Sequence, residues 1–219
     1  MRKFLATVLA VVSVFFGIMA SSYVSRNIMT NEDVKIERVA HMTSFESNNN
    51  VLKVDGIQFI TLVPKQVVDI PQYGEETSMQ FGVRIMNQAS IPYHFDLQRF
   101  YPEILDPQGQ ILQMDGGQNA TREVEKSDIP LLMPGESLDF LMDAKFNWYN
   151  KKCLSVSGNA TYGGFWIFWN IMPGRYHIRL KYENQLVKKK MLISPKGWTE
   201  IDQFWIGKVI TPFENFYLR

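Results

Sequence analysis

The feature that most restricts how this chain can fold is hydrophobic alternation with a period of two. Met79, Phe81, Val83 and Ile85 alternate with Ser78, Gln80, Gly82 and Arg84. Tyr93, Phe95 and Leu97 alternate with His94, Asp96 and Gln98. Leu138, Phe140, Met142, Ala144 and Phe146 form a third set, and Tyr176, Ile178, Leu180 and Tyr182 a fourth. Successive side chains of a strand point to opposite faces, so each set predicts a strand with one buried and one wet face. A helix would need apolar residues three and four apart. No segment from residue 56 onward shows that over a comparable length.

Two further runs, Ile57–Val63 and Phe165–Ile171, are more continuously apolar and fit strands covered on both faces. Turn residues separate the runs: Asn87-Gln88-Ala89-Ser90, Asp106-Pro107-Gln108-Gly109, Asp115-Gly116-Gly117, Pro134-Gly135, Gly163-Gly164 and Pro173-Gly174. Strands are predicted at about 57–63, 78–87, 92–99, 110–114, 137–146, 165–171, 175–183 and 204–211, with a ninth at 186–193. Short strands at this spacing point to an all-β sandwich or barrel.

The N-terminus is a different kind of segment. Met1-Arg2-Lys3 precedes an apolar run from Phe4 to Ala20, and Ser21-Ser22-Tyr23 follows. A basic start, an apolar stretch and small residues make up a secretory signal peptide, with a cut before Tyr23. The alternative is an uncleaved membrane anchor through residues 4–20, a run at the short limit for crossing a bilayer. Under both readings Arg2 and Lys3 stay in the cytoplasm and the remainder is exported. Cys153 is the single cysteine, so this exported chain has no intrachain disulfide and is stabilised by packing. The sequence thus divides into a signal or anchor helix (1–22), a polar linker or extension (23–55) and a β domain (56–219). Removing residues 1–22 leaves 21 basic against 22 acidic residues. A chain so close to neutral offers no footprint for nucleic acid.

Two turns share one pattern. Leu132-Met133-Pro134-Gly135-Glu136-Ser137 and Ile171-Met172-Pro173-Gly174-Arg175-Tyr176 each lead into an alternating run. The second, Pro-Gly-x-Tyr, resembles the corner between strands E and F of immunoglobulin-like sandwiches, where a tyrosine bonds back to the corner backbone. Tyr176 occupies that position. Residues 81–87 followed by Ser90-Ile91-Pro92-Tyr93 resemble the B–C hairpin of those folds, and Trp205-Ile206-Gly207-Lys208-Val209 resembles a last-strand motif of bacterial members. The likeness covers residues 56–219 and implies an exported bacterial immunoglobulin-like domain, a group that mostly lacks an assigned activity. The chain departs from antibody-type domains in having Ile178 where their second cysteine falls. It also has an apparent insertion at 147–164 and a long F–G connection at 184–203.

Catalytic chemistry is poorly represented. Gly-x-Ser-x-Gly, His-Glu-x-x-His and phosphate-binding loop motifs are all missing. His94 and Asp96 share a face two residues apart but lack a third metal ligand, and a solvated strand face accounts for them. Cys153 follows Lys151-Lys152 with no base placed against it, which fits a half-buried thiol at a strand start. The Asp106 and Asp115 loops lack the spaced oxygens of a calcium loop and read as tight turns. Asn119-Ala120-Thr121 and Asn159-Ala160-Thr161 have the form of glycosylation sequons and read as chance occurrences in loops. Lys188-Lys189-Lys190 reads as a solvated or edge-protecting run. No enzyme, cofactor or metal is expected.

The aromatic residues around the apparent insertion are the candidate interaction surface: Trp148, Tyr149, Tyr162, Trp166, Phe168 and Trp169. Alternation puts Phe165, Ile167 and Trp169 on one face and Trp166 and Phe168 on the other. Either the insertion covers the second pair, or Trp166 and Phe168 form an exposed patch for a partner, a sugar or a membrane surface. The expected role is a non-enzymatic exported module, periplasmic or extracellular, that binds another envelope or extracellular protein. The alternatives are a proteinase-inhibitor-like module presenting a loop at 147–164, or a carbohydrate-binding module stacking sugars on exposed aromatics.

Overall fold

The computed structural model describes residues 51–117, 122–160, 163–193 and 195–219. The signal or anchor segment, the extension up to residue 50, Tyr162 and the Asn119-Ala120-Thr121 sequon lie outside the described residues.

Within them the protein is all-β, with two 3-10 turns at Leu97–Arg99 and Lys126–Asp128 and no α-helix. No helix among the described residues is long and apolar enough to cross a membrane. The strands in chain order are β1 (Val51–Val54), β2 (Ile57–Leu62), β3 (Val67–Val68), β4 (Glu76–Asn87), β5 (Tyr93–His94), β6 (Phe100–Leu105), β7 (Met114–Gly117) and β8 (Leu131–Leu132). They continue with β9 (Ser137–Asn150), β10 (Cys153–Asn159), β11 (Phe165–Phe168), β12 (Gly174–Asn184), β13 (Lys189–Ile193), β14 (Gly197–Ile201), β15 (Gly207–Ile210) and β16 (Glu214–Leu218).

Two large sheets hold the core between them. The first has the order β1-β2-β4-β9-β10-β11-β7 and is antiparallel throughout. In the second, β12 pairs with β6 along one side, and with β15 and β16 in succession along the other. The two-residue β3 closes that sheet by pairing parallel with β16. The alternating residues face each other across the gap. Phe81, Val83, Ile85 and Phe146 of the first sheet are buried with Tyr176, Ile178, Leu180 and Tyr182 of the second. Phe59, Phe95 and Tyr182 surround the Trp205 ring, with centroids 5.4, 6.1 and 5.7 Å from it. Gly207 is needed there: a Cβ would stand 2.4 Å from the Trp205 ring.

Several sequence expectations shift. Pairing starts at Val51, ahead of the expected domain start at 56: β1 and β2 form a hairpin about Asp55-Gly56, both with positive φ (48° and 78°). An Asp-Gly pair at positive φ suits the right-handed strand twist of a two-residue hairpin. The expected strand at 92–99 is reduced to Tyr93–His94, which pairs with β8, and the chain then crosses to the other sheet as β6. The connection from β4 is therefore a crossover between sheets and not a hairpin. Most of the expected insertion at 147–164 is regular structure up to Asn159: β9 runs on to Asn150, and β10 returns antiparallel to it. The expected final strand at 204–211 is β15 alone, and β16 follows after Pro212.

That break is stitched to the opposite sheet. The Thr61 hydroxyl on β2 donates to the Pro212 carbonyl at 2.5 Å and meets the Thr211 hydroxyl at 2.7 Å. Thr211 Oγ1 in turn accepts from the Leu180 N–H at 2.9 Å. Proline has no N–H to give the ladder, and these buried hydroxyls satisfy the polar groups its presence frees. At the β11–β12 corner the Tyr176 hydroxyl accepts from the Met172 N–H and donates to the Met172 carbonyl, both at 2.8 Å. Its buried ring stacks on Phe216.

Candidate functional site

The predicted aromatic surface does not form as one patch. Trp166 and Phe168, the pair placed on the second face of the alternation, point into the core and are buried. Trp166 packs against Phe81 and Phe168. The register of β11 sets this: Trp166 lies opposite Gly158 of β10, whose missing side chain leaves room for the indole on the inner face. The outward set is Phe165, Ile167 and Trp169. Trp148 is half-buried and its indole N–H donates to the Pro71 carbonyl at 2.8 Å. Tyr149 is 72% exposed and meets the half-buried Trp169 edge to face, at 78°. Trp169 is held by its N–H to Asp115 at 2.9 Å. Two perpendicular rings offer no flat platform for a sugar. The β9–β10 hairpin turns within Asn150–Cys153, so no long protruding loop exists at 147–159.

Other predicted polar positions also find local structural roles. The Asp106 carboxylate accepts from the Gln108 and Gln110 N–H groups and closes a tight turn. Cys153 opens β10 half-buried, with its thiol 3.3 Å from Asn170 Oδ1. Among the described residues no group of three His, Cys, Asp or Glu could hold a metal.

The most elaborate construction lies where β4 and β12 end. Each finishes on a fully buried asparagine whose amide holds loop carbonyls. Asn87 Nδ2 donates to Ile91 O and Leu132 O, and Asn184 Nδ2 donates to Leu186 O and Trp205 O, all at 2.9 Å. A strand-terminal amide used this way directs the outgoing chain without a further ladder partner. Between β12 and β15 the chain makes an excursion, the antiparallel hairpin β13–β14. Ile193 of β13 packs with Ile129 and Phe204 in a small separate core, flanked by Val124, Met191 and Ile201.

A buried ion pair fastens this hairpin to the body. Asp96, on the crossover from β4, is fully buried, and its carboxylate lies 2.5 Å from Lys189 Nζ on β13. Gln98 Nε2 donates to the same oxygen at 3.1 Å, and Arg99 stands 3.5 Å away. The ammonium also sits over the Phe204 ring, 4.9 Å from its centre. Burial lowers the Lys189 pKa, and Asp96 opposes that shift by favouring the charged form. Burial near the Asp96 charge pushes the Tyr182 phenol up, so it stays neutral. Neither solvation nor metal binding therefore describes Asp96. Of the three consecutive lysines, Lys188 and Lys190 are exposed as expected, whereas Lys189 is not. His94 is half-buried against Phe204, with Nδ1 3.1 Å from the Ile129 carbonyl.

With its inner face held, the hairpin turns its other face outward. Leu192 and Trp198 are direct cross-strand partners and are 42% and 68% exposed. Beside them Lys190 pairs with Glu200, both exposed. Leu186 and Val187, at the base of the excursion, are exposed as well. Trp198 lies outside the aromatic surface expected from the sequence. The signal available was the alternation of Lys190 and Leu192 with Met191 and Ile193.

No family model matches this sequence, and no curated protein matches it.

Proposed function

We propose that the protein is an exported, non-enzymatic immunoglobulin-like domain that binds another envelope or extracellular protein through the β13–β14 hairpin. The observation that carries this reading is the exposed Leu192–Trp198 pair on a hairpin fixed from behind by the buried Lys189–Asp96 contact. An exposed tryptophan on a rigid support is a typical binding hot spot, because little side-chain freedom is lost on contact. The strand order supports the domain type. β2, β4 and β9 lie side by side as A, B and E do, and β6, β12 and the broken β15–β16 as C, F and G; β10 departs from the scheme, since it takes the place beside β9 that D has but follows β9 in the chain. The Tyr176–Met172 bond and the parallel β3–β16 contact fit the same scheme. The hairpin then falls between F and G, at an end where such sandwiches place recognition loops. Export through residues 4–20, by a cleaved signal or a retained anchor, puts this end outside the cytoplasm.

The test is affinity capture from an envelope extract of the host, using the intact protein and the L192E/W198E double variant. Both side chains are exposed, so the variant should keep the wild-type unfolding midpoint. A partner retained by the wild type and lost by the variant is expected. Equal retention by the two proteins, or none by the wild type, would refute the hairpin as the binding surface.

A further inference from the structure

We infer that two copies of this chain join edge to edge along β14, antiparallel and centred on Trp198, so that two hairpins become one four-stranded sheet. Three observations lead there.

The first is an open edge. β13 has β14 on one side, and its Ile193 bridges Val124 on the other. β14 has β13 alone: among the described residues no other segment hydrogen-bonds to its backbone. A row of unpaired N–H and C=O groups accepts another strand.

The second is the composition of that edge. The other sheet edges carry features that discourage pairing. β1 has Lys53, β6 has Pro102, β7 has Asp115 and two glycines, β15 has Lys208, and β3 is two residues long. β14 reads Gly197-Trp198-Thr199-Glu200-Ile201, without lysine or proline and rich in residues that favour strands.

The third is a charge pattern that complements itself. Lys196 and Glu200 stand two residues to either side of Trp198, and all three are exposed. Among the described residues neither charge makes an ion pair or a side-chain hydrogen bond, Glu200 with its cross-strand neighbour Lys190 included. A two-fold dimer lays the strand antiparallel against itself, so one residue faces its own copy. With Trp198 at the centre, Glu200 falls opposite Lys196 of the second copy, and the contact occurs twice. Lys196 ends the turn before β14, and its flexible stem lets the ammonium reach that carboxylate. Centring on Glu200 would oppose two carboxylates, and centring on Thr199 would set Glu200 against Trp198. The Trp198 register matches both charges and sets ring against ring. Thr199 then faces Gly197, which has no side chain to obstruct it. Across the joined sheet, Leu192 and Trp198 of one copy continue into Trp198 and Leu192 of the other, which doubles the outward surface. The edge pairing itself does not depend on what binds that surface.

The experiment is light scattering on the purified full chain after gel filtration, with bound detergent subtracted. The wild type is expected at twice the chain mass. K196E opposes two acids at each contact and E200K two lysines, so each alone should weaken the dimer roughly tenfold or more and run as monomer. An equimolar mixture of the two variants places opposite charges at both contacts and should return to the dimer mass. Mixing cannot repair a misfolded variant, and circular dichroism checks each one. Neither substitution touches Leu192 or Trp198, so partner capture by the hairpin face is judged separately. A monomeric wild type overturns the proposal. So does a K196E protein as dimeric as the wild type, or a mixture of the folded variants that stays monomeric.

Discussion

Asp96 and Lys189 illustrate how much one residue's meaning depends on its partner. The carboxylate is fully buried and the ammonium nearly so, and each is tolerable only because the other is 2.5 Å away. Taking ions from water costs several kcal/mol each, which a close pair with extra hydrogen bonds offsets. D96A should therefore lower stability by about 3 kcal/mol or more, because it leaves a buried cation without its counter-charge. The D96L/K189M double variant should recover much of that loss, and urea unfolding midpoints of the three proteins measure both effects. A double variant no more stable than D96A would mean that the pair is net stabilising and not merely self-compensating. Neither residue announces this role in the sequence. Asp96 stands in an alternating run where its position predicts a wet face, and Lys189 is flanked by two solvated lysines.

At the scale of elements, strand β11 is the instructive case. Its composition was legible: Phe165 to Phe168 is apolar on both sides, and a strand is what such a run in this context predicts. Which side faces the core was not legible, because both sides are equally apolar. The decision comes from neighbours. Gly158 of β10 lies directly opposite Trp166, and only a residue without a side chain leaves room for the indole on that face. G158A should consequently destabilise the protein by about 1–3 kcal/mol through overpacking against the ring, seen as a lower thermal midpoint. The β9–β10 hairpin was hidden for a related reason. Ser155, Val156, Ser157 and Gly158 carry little strand propensity apart from Val156, and pairing with β9 and β11 supplies what propensity does not.

For the described residues, stability rests on two sheets joined by packing and by the Thr61–Thr211 contact, with Cys153 outside any disulfide. One charged cluster lies on β6 and β12. Glu103 is nearly buried and receives Arg179 and Lys181. Burial raises its pKa, but the hydrogen bonds and charges of the two cations outweigh that, and the net shift is downward. A carboxylate with a depressed folded pKa contributes stability above its unfolded pKa and loses it as pH falls through the folded value. The protein should thus lose stability on acidification below about pH 4.5, the ordinary value for Glu103. E103Q should be less stable at neutral pH and show a shallower acid dependence across that window. Parallel pH profiles of the unfolding free energy would contradict the assignment.

The sequence by itself determined that the described part of the chain is all-β, roughly where its strands run and which residues fill most of the core. Alternation is a local property, and three of the four alternating runs lie in long strands, while the run from Tyr93 to Leu97 keeps only two strand residues. It also carried the Pro-Gly corner ahead of Tyr176, because φ restraint and a nearby hydroxyl are local too. The tertiary structure alone decided which face of β11 is buried and that Asp96 meets a lysine 93 residues away. These depend on strand order and on which sheet each strand joins. Residues far apart in the chain meet only after the sheets have closed, and the period of two is the same for every sheet a strand could enter.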